Sequence, residues 1–182
     1  MLFRFLPLAT VIALLLSSPL AANEALTLDP EKSKIDFVGR KTDGKHVGGF
    51  KSFKVKSVAN FDDPSASTLE IEIDTNSLWS DNDKLTNHLK NPDFFDVRKF
   101  PKLTFKATKI AAEDESDVKI TGDMTMLGKT VAVTVPCEVE SIDDKVHLVA
   151  KFKIDRTKWG MNYGVGNIEN DVEITATLVL AR

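Results

Sequence analysis

The chain has 182 residues and is mildly acidic, with 27 Asp and Glu against 24 Lys and Arg and a formal net charge of −3 at pH 7. Its lysines are scattered rather than clustered with aromatic residues, which argues against nucleic acid as a partner. It contains a single cysteine, which excludes an internal disulfide.

The first 22 residues have the layout of a secretory signal peptide. Arg4 supplies the positive start, residues 6–16 are apolar, and residues 19–22 form a small-residue cleavage region. An uncleaved anchor is the alternative, because the apolar run approaches the length of a membrane span. Two serines and a proline interrupt that run and favour cleavage. We therefore expect a periplasmic protein, secreted through a cleaved signal peptide, whose domain covers residues 23–182 without a stable membrane anchor.

Period-two alternation predicts about eight β-strands. In "TLEIEIDT", Leu69, Ile71 and Ile73 share one face, and acidic residues occupy the other. Comparable runs lie at residues 35–37, 53–55, 103–107, 118–124, 131–139, 146–154 and 172–180. Short connections with turn chemistry make neighbouring strands antiparallel. Asp43-Gly44 can supply the positive φ angles of a tight hairpin turn, Leu127-Gly128-Lys129 closes a second such turn, and Asp143-Asp144 closes a third. The fold class is therefore all-β, and the pattern leaves both a closed barrel and a two-sheet sandwich open.

The stretch between "TLEIEIDT" and "KLTFKATKI" interrupts the alternation. Asp81 or Asp83 can cap a short helix there, and Asn91-Pro92 ends it. Leu85 and Leu89 lie four residues apart, on one face of that helix. A helix of this length is marginal alone, so its apolar face must dock on the strands. The sequence thus predicts one short helix that covers one end of the β-structure.

A catalytic function finds little support. His46, His88 and His147 lie far apart, and none has metal-ligand spacing to another suitable side chain. The sequence also lacks a serine nucleophile elbow and a phosphate-binding glycine loop. Cys137 falls in the apolar register of residues 131–139, which favours a buried, inert thiol over a reactive one. We expect neither an enzyme nor a metal site.

A second irregular segment is "IDRTKWGMNYGVGNIENDVEI". It places Trp159, Met161 and Tyr163 among glycines, a composition found both at binding mouths and at strand corners. Arg156 could neutralise an anionic headgroup or pair with a nearby carboxylate such as Glu169. The residues alone leave both alternatives open.

Several segments together carry a family resemblance: "FVGR", "GGFKSFK", "IDTNSL", "DKLTNHLKNPDFFDVRKFPKLTFKATKI", "GDMTMLGKTVAVTV" and "DRTKWGMNYG" with "NDVEITATL". Over residues 27 to about 180, the chain resembles the YceI-like family of lipid or polyisoprenoid-binding proteins. Phe94-Phe95-Asp96-Val97 and Pro101 fall where the family pattern expects them. Leu127 and Lys158 depart from it, since members often carry a histidine and an acidic residue at these positions. The first departure leaves the identity of the ligand more open.

The resemblance implies a lipocalin-like antiparallel β-barrel with an isoprenoid chain inside. It also implies that four small residues on the apolar faces of the strands line a cavity: Ala107, Gly122, Ala150 and Ala176. The ligand-binding residues expected on this basis are Phe37, Phe53, Leu85, Leu89, Phe94, Phe95, Phe105, Ala150, Phe152, Arg156 and Trp159. Asn87 and His88, together with Arg156, are candidates for recognition of a polar headgroup. Phe94 and Phe95 are expected either to gate the tunnel or to plug the end of the barrel.

These features predict an exported, non-catalytic protein that holds a polyisoprenoid or a similar long-chain lipid, either prenyl or quinone-like. No cofactor is expected apart from such a bound lipid or quinone, and a homodimer stays open. The alternative is a periplasmic, stress-related interaction module whose barrel is fully packed. A substitution such as Ala150→Phe separates the two, because it should abolish lipid uptake only if the barrel is hollow.

Overall fold

The computed structural model describes residues 23–182, and the predicted signal peptide lies outside them. The described residues form eleven β-strands and one α-helix. The strands are β1 (Glu24–Leu28), β2 (Lys34–Lys41), β3 (Gly44–Phe50), β4 (Phe53–Ala59), β5 (Thr68–Asp74), β6 (Leu78–Ser80), β7 (Lys102–Ala112), β8 (Asp117–Met126), β9 (Lys129–Ile142), β10 (Lys145–Asp155) and β11 (Asp171–Ala181). Helix α1 (Asp83–Leu89) lies between β6 and β7.

Eight of the described strands close a barrel. The order β1-β4-β5-β7-β8-β9-β10-β11 is antiparallel throughout, and β11 pairs back with β1. The closing ladder places Thr27 opposite Ala181 and Leu28 opposite Leu180. Full closure leaves no free strand edge along this ring. The predicted lipocalin-like barrel of about eight antiparallel strands is confirmed, and the sandwich alternative is excluded.

The three remaining strands, β2, β3 and β6, continue the sheet beyond β11. β2 pairs with the start of β11, with Ile35 opposite Ala176, whereas β1 pairs with the end of β11. β3 pairs with β2, and β6 pairs with β3. Each of β1/β2, β3/β4 and β5/β6 therefore behaves as one strand with a break. The first break contains Pro30, which has no N–H to donate to a ladder.

Alternation sorts the side chains between the inside and the outside of the barrel. Every second residue of β10 from Leu148 to Ile154 faces inwards, and each lies opposite an apolar residue of β11. Leu178, Leu180 and Trp159 are 0–1% exposed and form the most deeply buried part of the core.

A β-bulge changes the alternation in β7. The register with β8 shifts between Ala107 and Lys109. Leu103 and Phe105 are buried before the bulge, and Ile110 is buried after it. Without the shift, the charged Lys109 and the apolar Ile110 would exchange faces. Because of the bulge, the apolar side chains of β7 face the core both before and after the register shift.

The helix begins one residue away from the expected caps. Asn82, rather than Asp81 or Asp83, is the N-cap, and its Oδ1 accepts a hydrogen bond of 3.0 Å from the Leu85 N–H. Asp81 instead accepts a hydrogen bond from the Val47 N–H, which anchors the chain to β3. The helix lies at the end of the barrel that also holds the β2–β3 and β8–β9 turns and residues 156–170, the β10–β11 loop. We call this the helix end; the predicted cover for one end of the barrel is confirmed.

Two of the expected hairpin turns have the predicted backbone. Asp143-Asp144 has φ angles of 50° and 59°, and Leu127-Gly128 has φ angles of 53° and 72°. These positive pairs match the twist of two-residue hairpins. The β2–β3 turn differs, because Thr42-Asp43 forms it and Gly44 already belongs to β3. The expectation of positive φ angles at Asp43 and Gly44 was wrong.

Candidate functional site

The interior of the barrel holds a cavity of about 340 Å³. Apolar side chains from β2, β3, β5 and β7 to β11 form its walls. Helix α1 and the residues that follow it, which we call the helix segment (residues 83–95), add Leu85, Leu89, Phe94 and Phe95. The lining also includes Leu69, close to the start of β5 and far from the helix end. A cavity of this kind does not agree with the alternative prediction of a fully packed barrel.

The polar residues that border the cavity lie at the helix end, which places the mouth there. Arg40 and Lys41 end β2, His46 lies near the start of β3, Ser80 ends β6, and Glu169 belongs to the β10–β11 loop. The rest of the lining is almost entirely apolar. The site can therefore solvate a polar group at one end only and offers hydrocarbon contact along the remainder.

Carboxylates lie beside the basic side chains Arg40 and His46 of this rim. Arg40 lies 3.3 Å from Glu173, and hydrogen bonding from Arg40 holds the pKa of that carboxyl below its usual value. The His46 Nδ1 lies 2.9 Å from Asp81 Oδ1. The pKa of Asp81 is lowered, first by the Val47 N–H and then by His46. These contacts fix the rim and leave it with little free charge.

Two adjacent phenylalanines connect the helix segment to the cavity. The Phe95 ring lies 5.6 Å from the Phe50 ring and 6.4 Å from the Phe37 ring. Phe94 packs 5.1 Å from His88 and 5.2 Å from Tyr163 of the β10–β11 loop. His88, Phe94 and Tyr163 form an aromatic clasp, which holds the helix segment against the loop beside the mouth.

Arg156 is buried, with 3% of its surface exposed, and borders the cavity. Its guanidinium donates hydrogen bonds to the carbonyl oxygens of Met161, Ile168 and Glu169, at 2.6, 3.3 and 3.1 Å. The contact with Glu169 thus uses the backbone and not the carboxylate that the sequence suggested. Burial lowers the pKa of Arg156 from its ordinary value. These bonds attach the β10–β11 loop to the end of β10.

The structure brings nine of the eleven expected ligand-binding residues to the cavity: Phe37, Leu85, Leu89, Phe94, Phe95, Phe105, Ala150, Phe152 and Arg156. Phe53 lies outside the lining; it packs against the core from the face that it shares with Ile73. Trp159 is 1% exposed and also lies outside the lining, with its Nε1–H donated to the Met124 carbonyl at 3.0 Å. Asn87 is exposed on the helix, and His88 belongs to the clasp.

The four small residues divide into two pairs. Ala150 and Ala176 lie opposite each other on β10 and β11, and both border the cavity. Gly122 and Ala107 do not border it. At Gly122, the Phe105 ring occupies the adjacent space. A Cβ at Gly122 would lie 2.6 Å from the Cζ of that ring. Gly122 therefore makes room for an aromatic ring of the core.

The β10–β11 loop, which the sequence left open as a binding mouth or a strand corner, contributes two lining residues that were not expected at the cavity. Ile168 and Glu169 border the cavity, although no alternation marks their segment. Gly164 and Gly166 have φ angles of 66° and 93°, and Ile168 donates its N–H to the Gly164 carbonyl. Positive φ angles at these glycines turn the loop back on itself. The two glycines were the signal in the sequence for such a fold-back.

No group of three or more His, Cys, Asp and Glu within residues 23–182 is arranged to hold a metal ion. No helix among the described residues is long and apolar enough to cross a membrane.

Cys137 should be inert in the folded protein. It is buried, and burial raises the pKa of its thiol to about 12. Because only the thiolate reacts, we expect labelling at pH 8 to be about a thousand-fold slower than in the unfolded chain. Thiol labelling with and without denaturant measures this ratio. Fast labelling of the folded protein would show that the barrel wall opens beside Cys137.

Comparison with known proteins places the chain in a family. A family model described as the YceI-like domain matches residues 26–180. The chain is 36% identical over 87 residues to a UPF0312 protein of Pseudomonas putida, a match that covers 48% of this chain and 45% of that protein. The chain thus spans about half the length of this curated relative.

Two solved structures share the fold. BcnA of Burkholderia cenocepacia superposes with a TM-score of 0.79 at 24% identity, over 84% of this chain and 98% of that one. A polyisoprenoid binding domain from Saccharophagus degradans superposes with a TM-score of 0.71 at 15% identity, over 87% of this chain and 98% of that one. Together with the family match across nearly all of the described residues, the barrel confirms the resemblance: the chain belongs to the YceI-like domain family.

Proposed function

We propose that this chain is an exported, non-catalytic protein that binds a polyisoprenoid or a similar long-chain lipid inside its barrel. The observation that carries the proposal is the apolar cavity of about 340 Å³, whose polar lining is confined to one end. A ligand with a long hydrocarbon tail and one polar end matches that distribution. The S. degradans domain, which has the same fold and binds a polyisoprenoid, supports the same ligand class.

The hydrophobic effect is sufficient for such binding. Each buried methylene contributes about 0.8 kcal/mol, so about ten buried carbons supply the ~8 kcal/mol of a micromolar complex before association costs. Affinity therefore follows from tail burial alone. Discrimination between tails of different length must come from where the cavity ends inside the barrel.

Lipid extraction tests the proposal directly. The protein is purified from its own cells under gentle conditions and extracted with organic solvent, and the extract is analysed by mass spectrometry. We expect a stoichiometric long-chain lipid. Sequencing of the purified protein's N-terminus tests export, with a start near Asn23 as the expected result. An empty extract, with no uptake of added prenyl lipids or quinones, would contradict the binding function.

The aromatic clasp is expected to slow ligand release. Tyr163 is 46% exposed, so Tyr163→Ala removes its contacts with His88 and Phe94 at little cost to the core. The loss of about 1 kcal/mol of aromatic packing predicts a roughly fivefold faster dissociation of a fluorescent prenyl probe. Tyr163→Phe keeps the ring and is the matched control, with an unchanged rate. Equal rates for all three proteins would mean that Phe94 only plugs the barrel end.

A further inference from the structure

The outer surface of the helix end gathers basic residues that are far apart in the sequence. They belong to helix α1, the residues before β7, the β8–β9 connection and the β10–β11 loop, and all are exposed: Lys84, Arg98, Lys99, Lys129 and Lys158. Within residues 23–182, none of these side chains lies within ion-pair distance of a carboxylate. Their charges can therefore interact with an anionic surface outside the molecule.

Packing contacts hold three of these elements together. The Lys99 Nζ lies 5.2 Å from the centre of the Phe100 ring. A Cβ at Gly128 of the β8–β9 turn would lie 3.0 Å from that ring, and a Cβ at Gly160 of the β10–β11 loop would lie 3.0 Å from the Lys129 Nζ. The residues before β7, the β8–β9 turn and the β10–β11 loop thus meet, which brings their basic side chains to one corner of the barrel.

Carboxylates also lie at the helix end, but local donors bind several of them. Asp93 Oδ2 lies 2.9 Å from the His88 Nε2. The Asp155 carboxylate accepts hydrogen bonds from the N–H and the hydroxyl of Thr157, at 2.9 and 2.6 Å. These hydrogen bonds lower the pKa of Asp155. Such carboxylates are oriented by their neighbours rather than paired with the exposed basic side chains.

The opposite end of the barrel is acidic. The β7–β8 and β9–β10 hairpins lie there, and their acidic residues include Glu113, Asp114, Glu115, Asp117, Asp143 and Asp144. The pKa of Asp117 is raised, first by the charge of Asp114, because carboxylates that lie close together repel one another. At that end Lys119, Lys145 and Arg182 are each in an ion pair. The molecule therefore carries an electric dipole whose positive end is at the mouth.

The β10–β11 loop also presents exposed apolar surface at the helix end. Tyr163 is 46% exposed and Val165 is 52% exposed. One edge of Tyr163 is held by the His88 ring, 4.9 Å away, so the loop has a defined position beside helix α1. Aromatic and aliphatic side chains surrounded by lysine and arginine are the composition that binds the interface of an anionic membrane.

We propose that the helix end docks on the surface of an anionic lipid bilayer, with its exposed basic side chains against lipid phosphates and with Tyr163 and Val165 in the headgroup layer. The acidic far end is repelled by the same surface, so the dipole turns the mouth towards the bilayer. The docking surface lies on the outside of the barrel and does not depend on what the cavity holds.

Co-sedimentation with vesicles tests the docking. The purified protein is mixed with vesicles of phosphatidylcholine that contain about 30% phosphatidylglycerol, or with vesicles of phosphatidylcholine alone. In about 50 mM salt we expect roughly tenfold stronger binding to the anionic vesicles, and in about 300 mM salt most of this difference should disappear through screening. Equal binding to both kinds of vesicle, or binding to neither, would overturn the proposal and leave lipid binding in the cavity intact.

Charge reversal assigns the binding to the helix end. A triple variant changes the corner: Lys99→Glu, Lys129→Glu and Lys158→Glu. It should bind anionic vesicles roughly tenfold more weakly than the wild type. The matched control makes the same change in net charge at exposed positions on the outer barrel wall: Lys54→Glu, Lys109→Glu and Lys151→Glu. It should lose no more than about threefold. Equal losses in the two variants would assign the binding to net charge and overturn the docking site.

The apolar contribution has its own matched pair. Val165→Asp places a negative charge at the tip of the loop and should weaken binding to anionic vesicles about fivefold. Ile142→Asp makes the same change at the opposite end, where Ile142 is 47% exposed, and should bind like the wild type. A loss in Ile142→Asp without a loss in Val165→Asp would place the bilayer at the far end and overturn the proposed orientation.

Discussion

Ala150→Phe is expected to weaken lipid uptake strongly while the barrel stays folded. Ala150 is 3% exposed and borders the cavity, and it lies opposite Ala176 on β11 and Cys137 on β9. A phenylalanine ring at this position extends into the space that the ligand would occupy. Because that space is hollow, the ring avoids most of the strain that follows from overfilling a packed core.

The size of the effect follows from the displaced hydrocarbon. If the ring excludes about three methylenes of the tail, the loss is ~2.4 kcal/mol, or about fiftyfold in affinity. Uptake of a fluorescent prenyl lipid by the purified variant measures this loss, and thermal unfolding reports its stability. Ala132→Phe is the matched control, because Ala132 is exposed on the outer face of β9.

Two results would contradict this expectation. Wild-type uptake by Ala150→Phe would place the ligand outside the barrel. A strongly lowered melting temperature together with unchanged uptake would mean that the interior at Ala150 is packed rather than open. Ala132→Phe should match the wild type in both measurements. A loss of uptake in that control would point to the outer surface of the barrel.

Trp159→Ala should cause a large loss of stability. The indole is 1% exposed, belongs to the core, and donates its N–H to the Met124 carbonyl of β8 at 3.0 Å. Truncation of a buried aromatic residue to alanine removes about 3–5 kcal/mol from the free energy of unfolding. Urea denaturation followed by circular dichroism measures this change.

Trp159→Phe separates packing from hydrogen bonding. It keeps an aromatic ring but leaves the Met124 carbonyl without the indole donor, so we expect a smaller loss of about 1–3 kcal/mol. Lipid affinity should stay close to the wild-type value in this variant, because Trp159 does not border the cavity. A selective loss of lipid binding at wild-type stability would instead support the ligand-binding role that the sequence suggested.

Much of the fold was predictable from local patterns. Alternation in segments such as "TLEIEIDT" identified the core-facing residues of eight strands, whereas β1, β3 and β6 were not predicted. The hairpin at Asp143-Asp144 followed from turn chemistry, and Leu85 and Leu89 marked the short helix. These features depend on residues within a few positions of one another, so a single sequence reports them.

On the strands, alternation alone did not decide which of the expected residues line the cavity. Phe37, Phe105, Ala150 and Phe152 lie on regular strands, and all border the cavity. Phe53 also lies on the apolar face of its strand but packs against the core outside the lining. A position on the apolar face of a strand shows that a side chain is buried, but it does not show whether that side chain borders a cavity or packs against another side chain.

The amino-acid sequence alone determined an all-β fold of antiparallel strands with short connections, one short helix that interrupts the strands, and an apolar face on each predicted strand. Only the tertiary structure determined the features that depend on residues far apart along the chain. These are the pairing of β1 with β11, the hydrogen bond from Arg156 to the Glu169 carbonyl oxygen instead of its carboxylate, and the cavity inside the barrel. The physical reason is that alternation records burial, whereas closure and cavity shape depend on which distant side chains meet and how much space they fill.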